Sequence, residues 1–259
     1  MLKFEEKNHT YVSVVPDNRK WTSITKIISS FKVPFDDNIA FKNSTDPYSK
    51  YYGLTPDAIK QIWENERNRS TKLGSSFHKM MEEKAFATGG LSLAVNKGDW
   101  KFAGNQELTK VGVYPEHFAY NSYYAICGQA DIVETTDYNT LNIGDFKTSK
   151  KIDRTGYKGK KMLKPINHLD DCYFNHYALQ LSFYMWMILQ HNPQLRPGLQ
   201  TIYHIKFVKA GEDKYGFPIY HKDNKGGNIV EDITPIVVPY MEYEVKLILD
   251  TFKTVYPAQ

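Results

Sequence analysis

The chain has 259 residues, of which 41% are apolar and 24% charged, a composition that excludes a disordered chain and suits one elaborated domain. Its 33 basic and 29 acidic residues give a net charge of +4, too mild for a histone-like or strongly cationic coating protein. Two cysteines, Cys127 and Cys172, are too few for a four-cysteine zinc site or a four-thiolate iron–sulfur cluster, and we expect both to be reduced.

The compartment is predicted from what the chain lacks. The start, MLKFEEKNHT, has no basic-then-apolar signal region. No apolar run approaches the ~20 residues that a membrane helix needs. We therefore expect a cytoplasmic protein that makes no membrane contact.

Hydrophobic periodicity and end signals predict the elements in chain order. The N-terminal half is expected to contain a strand over 9–15 that ends at Pro16-Asp17-Asn18, a helix over 24–31 capped by Thr22 or Ser23, a helix starting at Thr55-Pro56-Asp57, and a further helix over 72–87 that ends at Gly89-Gly90. The C-terminal half is expected to contain successive strands over 111–148, a helix over 172–191, a strand over 201–208, strand-like pieces in FPIYH and IVEDITPIVV, and a helix from Pro239 to about Thr254. This order predicts an α/β fold with a mixed sheet, not a doubly wound parallel one.

Two aspartates flank a turn-like segment, residues 135–140, that is centred near Tyr138. Asp131 lies seven residues before that centre and Asp145 seven after it. In an antiparallel hairpin folded about Tyr138 they would be directly opposed, with Cβ atoms ~5 Å apart. Strand alternation would place Lys147 on the same face as Asp145. A slip of one residue would send Asp131 to the other face.

Two opposed carboxylates repel each other, and a bound divalent cation would remove that cost. Carboxylate oxygens suit Mg²⁺ or Mn²⁺, and a neighbouring lysine can hold a phosphate or orient an attacking water. This geometry indicates phosphodiester hydrolysis. A surface hairpin with ordinary charged pairs explains it equally well.

The pattern Asp131 … Asp145-x-Lys147 resembles the signature of the PD-(D/E)xK nuclease superfamily, and further motifs resemble its RecB-like branch. They occur in the family's order: the histidine motif Gly74-Ser-Ser-Phe-His78, the pair Pro115-Glu116, the strand motif Gly128-Gln-Ala-Asp131 and the helix motif Gln180-Leu-Ser-Phe-Tyr184. The resemblance covers roughly residues 70–205. More loosely, the N-terminal stretch SITKIISSFKVPFD looks like the opening helix of phage-type and mitochondrial genome-maintenance exonucleases.

The resemblance implies a restriction-endonuclease-like core, with a central mixed β-sheet flanked by helices and a helical N-terminal elaboration. One nuclease domain over 1–259 would comprise the elaboration (1–70), the catalytic core (71–208) and C-terminal strands with a helix (209–259).

The resemblance also implies one or two Mg²⁺ or Mn²⁺ ions held by His78, Asp131, Asp145 and the backbone carbonyl of Phe146. Lys147 would be the catalytic lysine. Gln180 and Tyr184 would steady the site and contact the DNA backbone, and Glu116 would help to position a metal ion or the water. A local pair of His78 with Glu82 is a competing use of that imidazole.

A basic loop follows the lysine strand. From Lys147 to Lys164 there are eight basic residues and one acid, so the segment carries +7 and the rest of the chain −3. We expect a mobile loop that contacts the phosphate backbone, although a solvated lysine-rich loop is the ordinary alternative. The expected DNA contacts are Lys150, Lys151, Arg154, Tyr157, Lys158, Lys160, Lys161 and Lys164, with Tyr157 available for base stacking.

The expected function is a metal-dependent DNA exonuclease acting on single-stranded DNA or DNA ends, in phage-type replication, recombination or degradation. The compartment would then be the cytoplasm of a bacterial host if the chain is phage-encoded, and a separate replication or recombination protein could be a partner. No phosphate-binding G-x-x-x-x-G-K-[ST] loop occurs, so no ATP requirement is expected. The alternatives are a structure-specific or nicking endonuclease, a DNA-binding module that does not cut, and a hydrolase of another phosphate ester.

Overall fold

The computed structural model describes residues 2–5, 10–14, 19–36 and 38–253. The strands in these ranges are β1 (Leu2–Glu5), β2 (Thr10–Ser13), β3 (Thr22–Ser23), β4 (Val95–Lys97), β5 (Trp100–Phe102), β6 (Gly112–Asn121), β7 (Ile126–Thr135), β8 (Thr140–Lys147), β9 (Arg196–Phe207), β10 (Lys209–Glu212), β11 (Pro218–Tyr220) and β12 (Val230–Val238). The helices are α1 (Ile24–Ser30), α2 (Ile39–Thr45), α3 (Pro56–Ala87), α4 (Tyr173–His191) and α5 (Glu242–Lys253). The predicted turn at Pro16-Asp17-Asn18 and the predicted helix end at Thr254 lie outside the described residues.

Local end signals place the helix starts where the sequence predicts them. The Ser23 hydroxyl caps α1 by accepting from the Lys26 N–H at 3.3 Å. Thr55 caps α3 in the same way, accepting from the Ala58 N–H at 3.2 Å, and Pro56 is the first helical residue. Both caps satisfy backbone donors that would otherwise lack a partner.

Helix α3 differs from the prediction of two separate helices, because it runs unbroken for 32 residues. No proline interrupts its charged middle, and ion pairs between residues three apart, Glu64–Arg67 and Glu66–Arg69, support that stretch. The predicted boundary between 1–70 and 71–208 falls inside this helix. The residues before it also contribute strands, because β1 and β2 join β4 and β5 in a four-stranded sheet of order β2-β1-β5-β4.

The second sheet is mixed and has six strands. Five of them follow the order β12-β9-β8-β7-β3, and β6 also pairs with β7. Strands β6, β7 and β8 are antiparallel neighbours, whereas β8 and β9 are parallel. Helices α1, α4 and α5 pack on one face around buried residues such as Leu141, Ile143 and Ile202. Phe77 of α3 packs on the opposite face against Phe146, Ile205 and Phe207. The α/β fold with a central mixed sheet flanked by helices is thus confirmed.

Within the predicted C-terminal segment 209–259, strand β12 belongs to the same sheet and helix α5 to the same core, whereas β10 and β11 form a two-stranded sheet of their own. Strand β12 pairs with β9 from Val230↔Phe207 to Val238↔Gln200. Helix α5 packs on α4 and buries Val245, Ile248 and Leu249 in the main core. Among the described residues, none of the helices has both the length and the apolar character needed to span a bilayer.

Candidate functional site

Three acidic residues stand side by side on three neighbouring strands. The last pair of the β7–β8 ladder is Ile132↔Gly144, so the next position puts Asp131 beside Asp145. On the other side of β7, Pro115↔Ile132 and His117↔Ala130 flank the position where Glu116 stands beside Asp131. The predicted hairpin centre at Tyr138 is confirmed by this register. We call Glu116, Asp131 and Asp145 the acid row.

His78 reaches the acid row from helix α3, where the β7–β8 ladder has ended. Its Nδ1 lies 3.1 Å from Asp131 Oδ1, and the Phe146 N–H donates to Asp131 Oδ2 at 2.6 Å. His78, Glu116 and Asp131 each present one ligand atom, and the three atoms lie within 4.8 Å of one another. The hydrogen bond of His78 is thus to Asp131, whereas Glu82 pairs with Lys101 at 3.2 Å.

Lys147 occupies the same face as Asp145, as strand alternation predicts. Its Nζ lies 2.5 Å from Asp145 Oδ2 and 4.8 Å from the centre of the Tyr177 ring on α4. The side chains that come within ligand distance of one another differ from the predicted set of His78, Asp131, Asp145 and the Phe146 carbonyl. Glu116 joins His78 and Asp131, while an oxygen of Asp145 is engaged by Lys147. Phe146 contacts Asp131 through its own backbone N–H.

The electrostatics of the acid row follow from burial. Burial, together with the charge of Asp131, raises the pKa of Glu116 to about 8 against the opposing charge of His78. Burial also raises the pKa of Asp145 to about 6, although Lys147 acts in the opposite direction. For His78, burial acts to lower the pKa, but the hydrogen bond to Asp131 and the carboxylate charges raise it to about 9. The row attracts positive charge, and its carboxylate oxygens are donors of the kind that Mg²⁺ and Mn²⁺ bind.

Glu116 holds an uncommon backbone conformation within β6, with φ at +49°. Left-handed geometry is unfavourable for a residue with a side chain, and such strain is concentrated at functional sites. Gln129 on the neighbouring strand stabilises it, because its Nε2 donates to the Glu116 carbonyl at 3.0 Å. The Pro115-Glu116 pair was the sequence signal for this residue.

Gln180 and Tyr184 lie on α4, which packs against the strands that carry the acid row. Gln180 Nε2 donates to the Tyr184 hydroxyl at 3.1 Å, and Tyr184 is only 3% exposed. The Tyr184 ring lies against Gly128, where a Cβ atom would come within 2.5 Å of Tyr184 Cε1. This geometry fits the expected role of the pair in steadying the site. It does not fit the expected contact of Tyr184 with a DNA backbone, because the Tyr184 side chain is buried.

The basic loop is anchored at its far end, in contrast to the expectation of a freely mobile segment. Met162 and Ile166 are buried in the main core, and the Leu163 N–H donates to the Phe31 carbonyl at 2.8 Å. Tyr157 is 69% exposed, so its ring is accessible as expected. The far end of the loop is therefore held against the core, while Tyr157 lies on the surface.

Several of the loop's cations are already engaged. Lys150 pairs with Glu66 at 3.7 Å, Lys151 with Asp153 at 3.0 Å and Lys161 with Asp170 at 2.7 Å, and the Arg154 guanidinium lies 4.3 Å from the Phe174 ring centre. No described residue forms an ion pair with Lys158, Lys160 or Lys164. These three are the loop cations best placed to bind phosphates.

A second basic surface was missed by the sequence reasoning. Strands β10 and β11 pair as an antiparallel hairpin. Helix α3, residues 148–150 and residues 218–228, which begin at β11, enclose a groove of about 570 Å³ that we call the hairpin groove. The charged residues that line it are Glu66, Arg69, Lys72, Lys150, Lys222 and Lys225. The sequence signal was weak, since these residues are far apart in the chain.

Comparisons with protein-family models, with curated proteins and with solved structures find no match to this chain. The chemistry of the acid row, the basic loop and the hairpin groove is accordingly argued from their own residues.

Proposed function

We propose that the chain is a divalent-metal-dependent deoxyribonuclease of the RecB-like PD-(D/E)xK type that acts as an exonuclease on single-stranded DNA or DNA ends. The observation that carries this proposal is the convergence of His78 and the acid row at one end of the β7–β8 ladder, with Lys147 2.5 Å from Asp145. An ordinary surface hairpin has no reason to bury this many ionisable groups.

Each residue has a role that its contacts support. His78, Glu116 and Asp131 would hold Mg²⁺ or Mn²⁺, and Asp145 would share that task once Lys147 turns towards substrate. Bound there, the cation would supply Lewis-acid stabilisation of the charge that develops on the phosphate. Burial acts to lower the pKa of Lys147, but Asp145 and Asp131 raise it, which keeps the amine protonated. A protonated Lys147 can hold a phosphate oxygen and orient the attacking water.

The surroundings support a nucleic-acid substrate. The basic loop and the hairpin groove both border the strand end that carries Lys147, and cations arranged in this way bind the phosphates of DNA. Such an enzyme would serve replication, recombination or degradation of phage-type DNA, alone or with a separate protein partner.

The activity test compares the wild-type protein with Asp145→Asn and Lys147→Ala on end-labelled DNA in Mg²⁺ or Mn²⁺. We expect the wild type to degrade DNA and both variants to lose at least about a hundredfold in rate, since each removes a group at the reacting phosphate. Asp99→Asn, in the exposed turn between β4 and β5, is the matched control and should retain full activity. Full activity of Asp145→Asn and Lys147→Ala would refute the proposal.

The form of the DNA separates the two nuclease classes that share such a metal core. An exonuclease should degrade linear single strands and leave a circular single strand intact. Cleavage of the circle would instead establish the endonuclease alternative. Binding of both without any cleavage would establish the non-cleaving module.

A further inference from the structure

The hairpin groove combines a cationic rim with little opposing charge. Arg69, Lys72, Lys150, Lys222 and Lys225 line it, against one acid, Glu66. Glu66 is itself engaged, because its carboxylate lies 2.6 Å from Arg69 Nη2 and 3.7 Å from Lys150 Nζ. Arg69, Lys150 and Glu66 together carry +1, so most of the excess positive charge of the groove is carried by Lys72, Lys222 and Lys225.

Those three lysines are free to bind a ligand. Lys72, Lys222 and Lys225 are exposed, and no described residue forms an ion pair with any of them. Like charges gathered around one groove repel each other, so their arrangement is best stabilised by a bound anion. Three separate cations suit an anion with several spaced charges.

The interior of the groove has apolar surface as well. Leu73, Pro218, Ile219 and Tyr220 line it, and Ile219 is 46% exposed. A DNA duplex presents phosphates outwards and keeps its bases stacked inside, whereas a single strand also exposes base and sugar faces that pack on apolar and aromatic side chains. The mixture of lysines and apolar side chains therefore favours a single strand.

Two chain segments that line the groove lead directly into the residues around the acid row. Thr148 and Ser149, which line it, directly follow Lys147, and Ser76 precedes His78 by two residues. Helix α3 approaches this strand end closely at Gly74, where a Cβ atom would lie 3.4 Å from Thr148 Oγ1. At the end of the groove away from the acid row, Arg69 Nη1 donates to the Pro218 carbonyl at 2.6 Å, which links strand β11 to helix α3.

We propose that the hairpin groove binds one strand of single-stranded nucleic acid and leads it to Lys147 and the acid row. Lys72, Lys222 and Lys225 bind consecutive phosphates, and the apolar side chains between them contact bases and sugars. This inference rests on the proposed function for the fate of the strand, but the binding itself requires no cleavage. It assigns a role to residues 209–228, for which the sequence indicated none.

The test measures binding of a fluorescent oligothymidylate by anisotropy in EDTA, across a series of salt concentrations. The triple variant Lys72→Ala/Lys222→Ala/Lys225→Ala should raise Kd at least about tenfold and reduce the slope of log K against log salt by roughly 2, because three phosphate contacts are lost. The matched control, Lys26→Ala/Lys60→Ala/Lys110→Ala, removes the same charge from exposed sites outside the groove and should change neither quantity substantially. A blunt duplex of the same length should bind more weakly to the wild type.

The outcomes separate this inference from the proposed function. We call the triple lysine variant the groove variant. If its salt slope equals that of the wild type, or if the wild type binds the duplex more tightly than the single strand, the inference is overturned even if the protein cleaves DNA. Loss of binding in the groove variant, combined with a wild type that never cleaves, would uphold the inference and refute the nuclease. If DNA is cleaved, the groove variant should raise KM and leave kcat nearly unchanged.

Discussion

Gly128 shows at the scale of a single residue how the strand motif shapes the site. Its Cα faces the buried ring of Tyr184, and an added Cβ would lie 2.5 Å from Tyr184 Cε1 and 2.9 Å from the hydroxyl oxygen. Because Tyr184 is hydrogen-bonded by Gln180 and enclosed by the core, it has no space into which to retreat. The glycine of the Gly128–Asp131 motif is therefore explained by close packing behind the acid row.

Gly128→Ala is expected to lower the free energy of unfolding by about 1–3 kcal/mol, since the core must shift to admit the methyl group. Adding Tyr184→Leu should recover part of that loss, which a thermal-denaturation double-mutant cycle would reveal. Gly211→Ala is the control, because nothing lies within 4 Å of its added Cβ. Equal stability of Gly128→Ala and wild type would contradict this packing argument.

At the scale of elements, the basic loop illustrates how ion pairing divides similar lysines. Lys151 and Lys161 face Asp153 and Asp170, whereas no described carboxylate pairs with Lys158 or Lys160. A paired lysine must give up its partner to bind a phosphate, and an unpaired one need not. The sequence predicted the basic loop as a whole, but it could not assign these pairs because they depend on how the loop folds back.

Lys158→Ala/Lys160→Ala should therefore weaken DNA binding more than Lys151→Ala/Lys161→Ala, although both variants remove two charges. For a single strand we expect the salt slope to fall by about 1.4 in the first variant, about 0.7 for each lost contact, and by less in the second. Anisotropy titrations of both variants provide the comparison. Identical effects would show that the loop contributes only its net charge.

Across the whole molecule, the C-terminal residues complete the sheet and the core instead of forming an addition to them. Strand β12 covers the edge of β9, and α5 places Val245, Ile248 and Leu249 against α4. Within this region residues 209–228 can be removed without separating the strands on either side of them. The residues that flank this segment are hydrogen-bonded, because the Val208 N–H donates to the Ile229 carbonyl at 2.9 Å. Its two ends are thus neighbours in the sheet.

A fragment of residues 1–208 is expected to be insoluble or to lack a cooperative thermal transition. It would expose the β9 edge and lose the buried side chains of Val238, Met241, Val245, Ile248 and Leu249, each contributing roughly 1.5–3 kcal/mol. Replacing residues 210–227 by a short glycine linker should leave the transition cooperative and weaken single-strand binding. Circular dichroism melts of both proteins measure this, and a cooperatively folded 1–208 fragment would contradict it.

The sequence by itself determined the features that depend on residues close together in the chain. The hairpin centred on Tyr138, the caps at Ser23 and Thr55, the amphipathic helices and the mixed order of elements were all predictable, because turn chemistry and hydrophobic period act locally. The motif resemblance grouped His78 with the aspartates, but which groups make contact across long separations depends on the tertiary structure. His78 and Asp131 are 53 residues apart, and Arg69 and Pro218 are 149 apart. Their contacts follow from the packing of α3 on the sheet, and no local pattern encodes that packing.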